Sequence, residues 1–215
     1  MKKLSLILAT LGLGSPALAH HPLAGAPMET FAQGVLSGVG HPILGFDHLF
    51  FIALVGIAAL YTGQRMLAPL GFVGAMLLGT LMMSFGIALP AIEPMIILSL
   101  LALGFVVASG RALGFATAIG LFAVAGLFHG MAFGESIAAQ EAGMGLQVLI
   151  GYLIGLGVTQ YLIAIAAGWV ALKVWNATES TAMAARLSGA VVAGMGLFLG
   201  LEAVEGAAFA ALGLG

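Results

Sequence analysis

Cysteine is absent from this chain of 215 residues, and charge nearly so: Lys and Arg number 6 and Asp and Glu 8, together 7% of the residues, against 62% hydrophobic. Without cysteine there are no disulfides and no thiolate-held metal, and the compartment's redox state is left open. A charge content this low excludes an ordinary soluble domain, in which about a quarter of residues are charged. No basic patch points to nucleic acid, and no phosphate-cradling glycine loop suggests that this chain alone uses ATP. No HExxH pair and no convincing serine-centred motif is present, so no catalytic residues, enzymatic activity or resident cofactor are expected.

What the chain does have is long apolar runs, of the length that spans a bilayer as helix. They lie near residues 43–62, 67–89, 92–109, 112–133, 146–171 and 187–209. Before them, Lys2 and Lys3, a short apolar stretch and Ala17-Leu18-Ala19 read as a signal peptide over 1–19, removed on export. Residues 20–40 would then form a short periplasmic segment, and 41–215 a transmembrane domain of six helices. The expected fold is thus an all-α integral membrane protein with both mature termini periplasmic. The 33 glycines recur at four-residue spacing, as in Gly126/Gly130/Gly134 and Gly151/Gly155, which suits close helix packing.

Beyond the signal peptide the basic residues are Arg65, Arg111, Lys173 and Arg186, all in the joins after the first, third and fifth runs. The positive-inside rule reads those joins as cytoplasmic. This agrees with an exported N-terminus. The acids take the opposite bias: only Glu179 falls in these joins, while Glu29, Asp47, Glu93, Glu135 and Glu141 fall at the other end. All five histidines, His20, His21, His41, His48 and His129, fall at that outer end too. Such a face attracts cations.

Two of the histidine stretches stand inside apolar sequence, where buried imidazole and carboxylate mark a functional site. In His41-Pro42-Ile43-Leu44-Gly45-Phe46-Asp47-His48, Pro42 suits the first turn of a helix. On a helix continuing from there, His41 and His48 would share a face, with Gly45 leaving room between them. Asp47 points about 100° from His48 and would meet another helix or orient an imidazole. In Phe128-His129-Gly130-Met131-Ala132-Phe133-Gly134-Glu135, His129 and Glu135 would not share a face on an unbroken helix, so the glycines are expected to loosen it and let Glu135 turn back. The first run begins outside and the fourth ends outside, so both motifs reach one depth. His41, Asp47, His48, His129 and Glu135 are therefore the candidate metal ligands, in a donor set that suits a borderline divalent ion.

HPILGFDH and FHGMAFGE resemble the two signature motifs of the HupE/UreJ family, and the resemblance extends over the whole chain. It implies a small membrane protein associated with nickel-dependent hydrogenases and ureases, considered a nickel permease, with relatives linked to cobalt or other divalent metals. It also implies that the five residues just named are the functional polar ones. Some members carry a further histidine in the fifth span; here Thr159-Gln160-Tyr161 stand there, which leaves the metal preference open.

Weaker candidates complete the reading. His20 and His21 would be the new N-terminus and a chelating pair, and Glu202 and Glu205 would add carboxylates to the outer vestibule. The 11 methionines are scattered apart from Met82-Met83 and read as packing. Thr80, Ser84, Ser99, Thr159 and Gln160 are the polar groups within spans, and Tyr61, Trp169 and Trp175 suit the inner interface. The expected function is an inner-membrane permease that captures a divalent cation, nickel before cobalt or zinc, from the periplasm. The expected partners are that ion and the lipid bilayer, with self-association left open. An intramembrane zinc hydrolase and a metal-binding sensor that moves nothing are the alternatives.

Overall fold

A computed structural model describes residues 28–138 and 145–213. The signal peptide, His20, His21 and Glu141 lie outside the described residues. The described residues contain seven α-helices and no strand. In chain order these are α1 (Phe31–Leu44), α2 (Phe46–Ala59, continued by a 3-10 turn, Leu60–Thr62), α3 (Ala68–Ser84), α4 (Ile92–Ala108), α5 (Phe115–Ala138), α6 (Leu146–Lys173) and α7 (Met183–Ala211).

Three helices are long and apolar enough to cross a membrane: α5 over Phe115–Glu135, α6 and α7. The pair α1–α2 makes a fourth if counted as one broken span. The described residues are therefore those of an all-helical membrane protein, with three to four span candidates among them. Helices α3 and α4 are apolar but have 17 residues each, about 26 Å of helix against a hydrocarbon core of about 30 Å.

The start of the first span differs from expectation. The helix begins at Phe31, not Pro42, because Thr30 and Gln33 form a reciprocal capping box: the Gln33 amide donates to Thr30 Oγ1 at 3.2 Å, and Gln33 Oε1 accepts from the Thr30 amide at 2.9 Å. It does not run through to the next turn either. Gly45 adopts an extended conformation, φ −83° and ψ 98°, and the axes of α1 and α2 differ by 83°. Pro42 lies in the last turn of α1, where its missing N–H already weakens the helix, and the glycine three residues on, Gly45, offers little resistance to a break. His41 and His48 therefore sit on two helices meeting at a corner.

The glycines bring helix backbones together, and their register gives the directions. On α5, a Cβ at Gly126 would strike the Phe72 carbonyl, at Gly130 the Met76 carbonyl, and at Gly134 the Met83 side chain and the Thr80 carbonyl. Numbers rise together, so α3 and α5 are parallel. Thr80 Oγ1 bridges them, donating between the Met76 and Gly130 carbonyls at 3.0 and 2.9 Å. On α6, Gly151 and Gly155 face Phe31 and Val35 of α1, and Ala164 faces Gly56 of α2, again in parallel. Gly104 meets Ala193, and Gly189 meets Ala108, so α4 and α7 are antiparallel. The interior between these pairs is filled by Phe51, Phe72, Met76, Leu100, Leu103, Phe122 and Phe133, while Leu78, Phe105, Leu162 and Phe198 point outward. An apolar interior inside an apolar exterior suits a lipid solvent.

At one end, three joins are tied together. Tyr61 Oη donates to the Ala177 carbonyl at 2.9 Å, Ser180 Oγ to the Gly110 carbonyl at 2.8 Å, and Arg186 Nε to the Ala108 carbonyl at 2.9 Å. Gly110 takes φ +75° to end α4 in the left-handed conformation that glycine adopts without cost. Arg111 and Arg186 both stand at this end, the end opposite His48.

Candidate metal-binding corner

The corner at Gly45 collects the histidines. His41, in the last turn of α1, is buried; its Nδ1 shares a hydrogen bond with Tyr152 Oη of α6 at 3.3 Å, and its ring meets Phe133 edge-on at 4.9 Å. Asp47 and His48 open α2. Asp47 Oδ2 is 2.8 Å from His48 Nδ1, a close contact lying off the line of an N–H···O bond. An acid in this first turn also offsets the positive end of the helix dipole, which would otherwise repel a cation. The Asp47 carboxylate stands against the neighbouring imidazole.

His129 comes to the same place from α5, with its side chain 1% exposed. Its ring stacks on Phe51 at 4.5 Å and 17°, meets Phe72 edge-on at 5.8 Å, and is 5.4 Å from the ring of His48. Phe133, one turn further along α5, stands between the histidines: 4.9 Å from His41 and 4.5 Å from His48.

Ser99 of α4 selects the form of the His129 ring. Its Oγ donates to the Ile96 carbonyl at 2.7 Å and is 3.0 Å from His129 Nε2. A hydroxyl has one proton. With that proton on Ile96, Ser99 accepts from Nε2–H, and Nδ1 of His129 carries a bare lone pair. Nδ1 is buried and has no hydrogen-bond partner. An imidazole held by one nitrogen with the other open is the arrangement of a metal ligand oriented from behind. The same commitment of the Ser99 proton argues against activation of a serine nucleophile by His129.

Glu135 does not turn back. Helix α5 continues unbroken to Ala138, Gly130 and Gly134 are used for packing on α3, and Glu135 is exposed. Glu202 and Glu205 are exposed on α7. The structure thus brings His48, Asp47 and His129 together, places His41 across Phe133 from them, and leaves Glu135 apart. Among the described residues no three His, Asp or Glu side chains converge closely enough to hold an ion at once. Tyr152 and Phe133 are contributors that sequence reading passes over: their partners are remote in sequence, and neither residue type signals a ligand.

The comparisons with known proteins bear on this corner. A family model described as HupE / UreJ protein matches residues 8–199, a stretch that includes both motifs. Protein HupE of Rhizobium leguminosarum bv. viciae is 31% identical over 195 residues, covering 87% of this chain and 98% of that one. No solved structure matches the chain.

Proposed function

This chain belongs to the HupE/UreJ family, and on that premise we propose that it is a permease for a divalent transition-metal ion, nickel before cobalt or zinc. Membership suggests a hydrogenase or urease accessory role in nickel or cobalt transport. The family is a transporter and accessory family, not an enzyme family. The ion is taken at the Gly45 corner from the periplasm, crosses the inner membrane, and serves metalloenzyme maturation in the cytoplasm. The positive-inside rule supports this direction, since Arg111 and Arg186 stand at the end away from the histidines.

One observation carries the reading: His129 holds a partnerless Nδ1, buried, 5.4 Å ring to ring from His48, whose own neighbour is a carboxylate. With His129 held by Ser99, a shift of the His48 ring toward the open Nδ1 brings a nitrogen of each onto one ion, and Asp47 offsets its charge. Displacing Phe133 adds His41. Glu135 acts earlier, as an entrance carboxylate, as would Glu202 and the His20–His21 pair.

Calorimetric titration of the purified protein with Ni2+ tests the site. Wild type is expected to bind, and His129→Ala to lose at least about tenfold in affinity. A wild type that takes up no nickel, cobalt or zinc would remove the basis for the permease and for a metal sensor alike.

A further inference from the structure

Among the described residues beyond the corner, one polar side chain is buried in the helix bundle with no hydrogen-bond partner. Gln160 of α6 is 0% exposed, and neither its Oε1 nor its Nε2 has a hydrogen-bond partner. A carboxamide in hydrocarbon surroundings is strongly disfavoured unless both its acceptor and its donor are used. Leucine or methionine would fill the same space without that penalty.

The position of Gln160 relates it to the corner. Tyr152, Leu156, Gln160 and Ala164 follow at four-residue spacing on α6, and all are fully or almost fully buried. Tyr152 contacts His41. Gln160 lies eight residues further along, about 12 Å deeper, toward the end where Arg111 and Arg186 stand. The neighbouring positions identify what the helix faces there: Gly157 lies against Leu77 of α3, and Ala164 against Gly56 of α2.

We propose that Gln160 is a second, inner station for the transported cation, its Oε1 replacing part of the ion's hydration as the ion passes from the corner between α2, α3 and α6. A neutral amide oxygen suits this position. It is a weaker ligand than imidazole or carboxylate for a nickel-like ion, so the ion is received without being trapped. The proposal rests on the permease reading and extends it from capture to passage.

The test uses full-length protein in liposomes with a Ni2+-quenched dye inside, alongside calorimetric binding and thermal melting in detergent, for wild type, Gln160→Met and Gln160→Glu. Gln160→Met is expected to bind Ni2+ within about twofold of wild type and melt no lower, yet transport at least about tenfold more slowly, the loss of one well-placed contact. Gln160→Glu is expected to lower both the half-saturating Ni2+ concentration and the maximal rate, because a carboxylate holds the ion longer. Uptake by folded Gln160→Met equal to that of wild type would overturn the station and leave the permease standing. If Gln160→Met fails to fold, unchanged half-saturation and maximal rate in Gln160→Glu would overturn it equally. Absence of uptake by wild type would overturn the permease, and the station with it.

Discussion

Ser99 gives the residue scale its sharpest test. Its hydroxyl fixes His129 as the tautomer with an open Nδ1 by accepting from Nε2–H. Ser99→Ala should leave the protein folded but let the ring turn or change tautomer, lowering Ni2+ affinity by about 10- to 100-fold, as loss of a ligand's orienting partner does. Ser99→Thr keeps the hydroxyl and should recover most of the affinity; calorimetry on the two variants reads both.

At the scale of elements, the glycines divide into those that packing requires and those it does not. Gly130 lies against the Met76 carbonyl, whereas nothing stands within 4 Å of the Cβ position at Gly120 on the same helix. Gly130→Ala should therefore destabilise by about 1–3 kcal/mol through overpacking, while Gly120→Ala should be neutral or slightly stabilising through helix propensity. Melting temperatures in detergent compare them directly; an equal effect at the two positions would contradict the α3–α5 register. Much of this scale is legible in sequence: the apolar runs mark the helices and the four-residue glycine spacing marks their contacts. The start of α1 is legible too, in Thr30-x-x-Gln33, but it lies outside the apolar run at 43–62 and is hidden by attention to hydropathy. The break at Gly45 is not legible, because Pro42 reads as a helix start when it stands in a last turn. The expected loosening at Gly130 and Gly134 fails for a related reason: a glycine that packs against a neighbouring backbone does not need to break its own helix.

At the scale of the whole molecule, HPILGFDH and FHGMAFGE point to the family and to most of the corner from sequence alone. The partners that shape the corner, Ser99 against His129 and Tyr152 against His41, are 30 and 111 residues apart and emerge only from the fold. Gln160 is visible in sequence as a polar residue within a span; its lack of partners is not. Orientation is open to a clean experiment because the chain contains no cysteine. With Ala88→Cys, between α3 and α4, and Thr178→Cys, between α6 and α7, a membrane-impermeant maleimide applied to spheroplasts should label only the first. The reverse pattern would invert the assigned direction of transport.

The central claim, that the Gly45 corner passes a divalent metal ion across the membrane, is tested most directly by Ni2+ entry into proteoliposomes, with wild type beside His48→Ala and His129→Ala and with Co2+ and Zn2+ as competitors. Wild type should admit Ni2+, both variants should reduce entry to the level of empty liposomes, and the competing ions should rank the preference. Entry that persists in both variants, or a wild type that binds Ni2+ and admits none, would contradict the account.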